Sequence, residues 1–191
     1  MRTLRRLKEQ GLTHALCGNL GALLMAREAG LEIIGDYGLN IINSPAARQA
    51  AELGCGALTL SFECERGAAK NIASPVPLGV IAYGHLPLML LRNCPGKTAA
   101  GCGDCTGINR ITDRRGEDFP LQCERRRYTH LLNPRPLLLC DRLPEWDFCD
   151  FLTLRFTVES PAECDEVLKM YRTGAAPAGQ FTRGLYYRTL K

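Results

Sequence analysis

T-H-A-L-C-G-N-L-G-A-L-L-M-A-R-E-A-G-L-E-I-I, residues 13–34, is the stretch whose reading decides the fold. Its two ends, residues 13–17 and 31–34, are short apolar runs of strand length. Between them Leu20, Leu23, Leu24 and Ala26 recur at helical spacing, opened by Gly18-Asn19 and closed by Gly30. Strand, helix and strand joined by short loops make a β/α unit. Its strands run parallel, because the helix carries the chain back to its starting edge.

The same rhythm continues on both sides. A short amphipathic helix over residues 4–10 precedes the unit and stops at Gly11. Downstream, Ser44-Pro45 supplies an N-cap and a first-turn proline for a helix through Leu53, closed by Gly54. Residues 57–61 read as a strand, 63–73 as a helix and 78–83 as a strand. Periodicity then lapses over residues 84–133, which read as an irregular, cysteine-rich insert. Beyond it come a strand at 136–140, a helical turn at 143–146 and an alternating strand at 151–157. A last helix opens on Ser160-Pro161 with Glu163 completing a capping box, and stops at Gly174.

Five or six strands are fewer than the eight that close a TIM barrel. The expected fold is therefore α/β, a partial TIM-type (β/α) barrel or open parallel sheet interrupted by the insert. Residues 1–84 form the barrel portion, 85–135 the insert, and 136–191 the last β/α units and tail.

The insert carries the chemistry. Cys94, Cys102, Cys105 and Cys123 are spaced C-x7-C-x2-C-x17-C among glycines and charged residues. Thiols in such a loop bury little apolar surface, so ligation accounts for them better than packing does. Four thiolates suit an iron–sulfur cluster or a structural zinc, and unliganded thiols are the third option. Zinc ribbons favour two C-x2-C knuckles, and this chain has one; Cys94-Pro95 matches the Cys-Pro found beside iron–sulfur ligands. Cys140 and Cys164 are possible substitutes for one ligand. Cys17, Cys55, Cys64 and Cys149 read as small buried hydrophobes.

Composition sets the bounds. The chain has 191 residues, 46% hydrophobic and 23% charged, within the globular range. No apolar run is long enough to span a bilayer, and residues 1–11 lack the apolar core of a signal peptide. Ten cysteines without such a peptide favour reduced thiols in the cytoplasm over a disulfide framework. The net charge is +4, and Arg110, Arg114, Arg115, Arg125, Arg126 and Arg127 gather around the last cysteine of the loop. That run is either a solvated face or a contact for an anion such as RNA.

Several segments, in one order along nearly the whole chain, carry a family resemblance: A-L-C-G-N-L-G-A-L, G-D-Y-G-L-N-I-I-N-S, V-I-A-Y-G-H-L-P-L-M, N-C-P, C-G-D-C, D-R-R-G-E-D-F-P-L-Q-C, L-R-F-T-V-E and T-R-G-L-Y-Y-R. Together they resemble the collagenase-like peptidases, peptidase family U32. The resemblance implies a TIM-type barrel, of which this chain looks like the C-terminal part. A separate N-terminal barrel half or a second copy would then complete it. It also implies either collagenase-type hydrolysis or support of a hydroxylation, of an RNA base or of a small aromatic substrate. Hydroxylating members carry a 4Fe-4S cluster, whose ligands by position are Cys94, Cys102, Cys105 and Cys123. His85 stands where the family commonly has arginine.

A barrel does its chemistry at the C-terminal ends of its strands. The polar residues expected there are Asn19, Asp36, Asn40, Asn43, Glu63, His85 and Glu159, with Arg155 inside the last strand. Asp36, Glu63 and His85 are the candidate acids and bases. Asn19, Asn40, Asn43, Arg155 and Glu159 are the candidate substrate contacts. Asp36 and Asn43 equally suit the capping of turns and helices. His14 reads as a packed core residue, and His130 as support for the insert. No G-x-S-x-G and no H-E-x-x-H occurs, so a peptidase activity has no motif to carry it.

Overall fold

A computed structural model describes residues 1–97, 102, 105, 107–175 and 179–188. The chain divides into two compact units. The first comprises Met1–Ile81, Arg142–Thr153 and Arg183–Lys191; the second comprises Ala82–Asp141 and Leu154–Thr182.

In the first unit helix α1 (Arg2–Glu9) is followed by β1 (His14–Cys17), α2 (Leu20–Glu28) and β2 (Glu32–Gly35). A 3-10 turn (Tyr37–Leu39), α3 (Ser44–Glu52), β3 (Cys55–Thr59) and the one-turn α4 (Arg66–Ala69) lead to β4 (Leu78–Gly84), which ends in the second unit. β1, β2, β3 and β4 lie side by side and parallel. β10 (Phe151–Leu154) flanks β4, so β1 is left as an edge. The fold is α/β with an open parallel sheet.

One face of that sheet is closed by the helices. Leu23 and Ala26 of α2 and Ala47 and Ala50 of α3 are buried, as are Ile33, Leu58 and Val80 of the strands. Tyr186 joins this core, its hydroxyl donating to the Ile81 carbonyl at 2.9 Å and its ring edge-on to Trp146 at 4.8 Å. The other face is barer. Register sets Leu16 beside Ile34 and Ile34 beside Ala57, and Leu16 is 62% exposed. Parallel sheets are usually covered on both faces, so this row is unusual.

Several boundaries differ from expectation, each for a local reason. Asn43, not Ser44, caps α3: its Oδ1 accepts from the Ala46 amide at 2.9 Å, while Ser44 Oγ accepts from the Ala73 amide. The helix expected over 63–73 shrinks to α4, because Ser61 turns the chain, its carbonyl and Oγ accepting from the amides of Cys64 and Glu63. The strand expected to 157 stops at Leu154, so Arg155 lies just beyond it. His14 is not a core residue; it is exposed, with Nε2 3.0 Å from Glu32 Oε2.

The larger correction lies in the second unit. Much of what reads as an irregular insert is regular: β5 (Pro87–Leu91), β6 (Ile108–Thr112), β7 (Asp118–Glu124) and β8 (Tyr128–Leu132) form an antiparallel sheet in the order β5-β8-β7-β6. The D-R-R-G-E segment that reads as turn-rich is the hairpin between β6 and β7. Asp113 Oδ1 accepts from the amides of Arg115 and Glu117 there. The end of β4 pairs antiparallel with β9 (Leu137–Leu138), Tyr83 against Leu138. Tyr83, Leu138, Cys140 and Val167 make a core, with Val167 supplied by α5 (Pro161–Thr173). Ser160 and Glu163 cap α5 reciprocally, as the sequence predicts.

Candidate functional site

The antiparallel sheet gathers the cysteines. Register places Leu91, the last residue of β5, beside Thr129 near the start of β8, and Thr129 beside Cys123 near the end of β7. Ile108, which opens β6, pairs with Gln122. One end of the sheet therefore holds the exit of β5, the entry of β6 and the β7–β8 turn. Cys94 follows β5 by three residues, Cys105 precedes β6 by three, and Cys123 lies at the end of β7.

Backbone contacts draw these segments together. The Gly107 carbonyl accepts from the Cys123 amide at 2.7 Å, and the Gly107 amide donates to Cys105 Sγ at 3.4 Å. Arg126 of the β7–β8 turn donates to the Cys102 carbonyl. Cys94, Cys102 and Cys123 are half-buried and Cys105 is exposed. Four thiols around one sheet end are a donor set suited to a cluster or to zinc. Among the described residues no three His, Cys, Asp or Glu side chains form a metal-sized group.

The remaining cysteines fall into two sets. Cys17, Cys55, Cys64 and Cys140 are buried, and burial pushes the first three thiols above their usual range. Cys149 is pushed up to about 12, by burial and then by Asp150 and Asp147. Such thiols stay protonated and behave as small hydrophobes. Cys164, in the first turns of α5, is raised chiefly by burial too.

The β7–β8 turn carries Arg125, Arg126 and Arg127 beside the cysteines, all exposed. Arg125 and Arg126 have φ of 49° and 59°, a left-handed conformation that side chains resist at about 1–3 kcal/mol each. Strain of this kind tends to collect at functional turns.

The polar residues expected at the strand ends separate into two groups. In the first unit Asn19 caps α2, accepting from the Ala22 amide at 2.9 Å, and Asn43 caps α3 in the same way. Asp36 Oδ1 accepts from the Tyr37 amide at 2.8 Å and starts the 3-10 turn, which Asn40 ends at φ 55°. These four have structural work. Glu63 and Asn40 line a small cavity of about 220 Å³ with Ile42 and Cys64.

In the second unit His85, Arg155 and Glu159 belong together. Gly84 brings them close: its φ is +138°, and a Cβ there would stand 2.4 Å from the Arg155 carbonyl oxygen. The Arg155 amide donates to the Tyr83 carbonyl at 2.9 Å. The Glu159 side chain is only 4% exposed, and its Oε2 accepts from the amides of Thr157 and Val158. Its Oε1 faces His85 Nε2 at 4.0 Å. His85 Nδ1 lies 2.6 Å from the Asn133 carbonyl oxygen. A carbonyl only accepts, so Nδ1 carries a proton. The Tyr83 hydroxyl lies near this carboxylate; burial, and then the Glu159 charge, holds its pKa above the usual tyrosine range. Asp36 and Glu63, the other two candidate acids and bases, lie in the first unit; the carboxylate that faces His85 is Glu159. Pairing Glu159 with a base rather than with substrate alone is what sequence reasoning missed. Only the V-E-S-P capping context hinted that residue 159 is fixed.

No family model, curated protein or solved structure matches this chain.

Proposed function

We propose that this chain is a U32-type iron–sulfur protein supporting the hydroxylation or other modification of an RNA base or a small aromatic substrate. Cys94, Cys102, Cys105 and Cys123 would hold a 4Fe-4S cluster, which supplies one-electron transfer when bound. The placement of the segments that bear Cys94, Cys105 and Cys123 at one end of the antiparallel sheet, together with the four-cysteine spacing, supports this reading. The arginine turn beside them supports an anionic substrate, since guanidinium groups pair bidentately with phosphate. Reduced thiols fit a cytoplasmic setting.

The test is purification without oxygen. Brown protein with about four irons per chain, losing its colour in Cys94→Ser or Cys123→Ser, is the expected result. Stoichiometric zinc in place of iron would sink the cluster. Peptide cleavage that survives all four cysteine replacements would favour the collagenase-like hydrolase instead.

A second reading concerns partners. The parallel strands form part of a TIM-type barrel that an N-terminal half or a second copy completes. The support is the open edge at β1 and the bare Leu16–Ile34–Ala57 row. If it holds, activity appears only when the missing half is added or when the chain dimerises, and Leu16→Lys abolishes both effects.

A further inference from the structure

The His85–Glu159 pair lies outside the cysteine end of its sheet and needs no metal to explain it. Two facts about it conflict with a simple ion pair. With Nδ1 bound to the Asn133 carbonyl, neutral His85 presents a lone pair at Nε2, so Nε2 and Glu159 Oε1 are two acceptors facing each other. At 4.0 Å they are too far apart for a direct hydrogen bond even if His85 is protonated. Oε1 is buried with no donor in hydrogen-bond geometry, the nearby Tyr83 hydroxyl being the protein group closest to that role; Thr157 Oγ1, two residues away, is likewise buried without a partner. A buried carboxylate oxygen left in that condition destabilises the fold.

The separation suits a small group with two hydrogens. An atom about 2.8 Å from each acceptor spans 4.0 Å at an angle of about 90°, narrower than tetrahedral but within the bend that the two hydrogen bonds of a water or a primary amine allow. A hydroxyl has only one proton and satisfies one side. A metal ion is disfavoured, because a single nitrogen and a single carboxylate oxygen make an incomplete ligand set. Beside the pair, Pro134 and Val158, the chain neighbours of Asn133 and Glu159, line a cavity of about 440 Å³ with Asn109, Arg110, Asp118 and Glu163. Arg110 is paired with Asp118 at 3.3 Å, so Glu163 leaves the cavity wall with an excess of negative charge.

We infer that His85 Nε2 and Glu159 Oε1 form a seat for one group bearing two N–H or O–H donors, either a water molecule or the amine of a small polar ligand. The seat orients that group through Glu159 and offers it a base at His85. A water held there donates one hydrogen to each atom, and an amine is held in the same way.

The test uses the full chain, purified without oxygen so that any metal it carries is retained. In an amine-free phosphate buffer, a high-resolution crystal structure is expected to show one density peak within hydrogen-bond distance of both atoms. Methylammonium chloride is the amine probe, followed through the imidazole resonances of 15N-labelled His85. A saturable shift with displacement of the peak assigns the seat to an amine; an unmoved peak and no shift assign it to water. In Glu159→Gln an N–H2 donor replaces one of the two facing acceptors, so the seat can no longer accept two hydrogens from one group, and any methylammonium shift is expected to vanish while circular dichroism stays unchanged. If that variant does not fold, the wild-type crystal and the nitrogen shifts decide alone. Nε2 and Oε1 in direct contact, a doubly protonated His85 at neutral pH, or no bridging density would each overturn the inference.

Discussion

Tyr83 has its side chain in the core of the second unit and its hydroxyl near the Glu159 carboxylate, and both surroundings oppose ionisation. Burial is the larger cause, the Glu159 charge the next. The folded state therefore holds the phenol proton more tightly than the unfolded chain, whose tyrosines titrate near pH 10. A pKa raised on folding contributes stability that is full below the unfolded value and lost as pH rises past it. The loss amounts to about 1.4 kcal/mol per pH unit for one proton. Thermal melts from neutral pH upward should thus show wild type losing stability above about pH 10 faster than Tyr83→Phe does. Parallel curves would mean that Tyr83 ionises freely in the fold. None of this was legible beforehand, because Y-G-H-L-P exposes its constraint only once Gly84 lets Arg155 approach at φ +138°.

Elements that depend on neighbours along the chain could be read from residues; elements that depend on distant partners could not. The capping box at Ser160 and Glu163 and the helical rows of α2 and α3 are local patterns, and they emerged as expected. The antiparallel sheet is not local. β5 is a run of apolar residues, P-L-M-L-L, with Leu88, Met89 and Leu90 exposed, so it shows none of the alternation that marks a half-buried strand. β7 contains Pro120, which normally argues against an inner strand. The β7–β8 turn then spends two arginines on left-handed positions that glycine would fill more cheaply. Replacing Arg125 and Arg126 by glycine should raise stability by roughly 1 kcal/mol. It should also weaken binding of a single-stranded RNA oligonucleotide and reduce the salt dependence of that binding. A variant that gains stability and loses no affinity would make the arginines incidental to RNA.

At the scale of the whole molecule, the two units should respond differently to the metal. Cys94, Cys102, Cys105 and Cys123 stand in the second unit, on the segments that frame the antiparallel sheet, whereas the parallel sheet has its own helix-covered core. Their spacing was legible from the start; their common sheet end was not, since it follows from a register between strands up to some forty residues apart. On the proposed reading, ligation would close the long connection between β5 and β6 as a clip does, and removing it would restore that loop's entropy to the unfolded ensemble. Chelation of the anaerobically purified protein, followed by hydrogen exchange, should therefore raise exchange across Pro87–Leu91, Ile108–Thr112, Asp118–Glu124 and Tyr128–Leu132. Protection of Glu32–Gly35 and Cys55–Thr59 should change little. Cys94→Ser should reproduce the chelated pattern without chelator, whereas Cys140→Ser should instead loosen the packing around Val167. Uniform loss of protection in both units would mean that the metal is not held at the sheet end. Unchanged protection everywhere would mean that the thiols hold none.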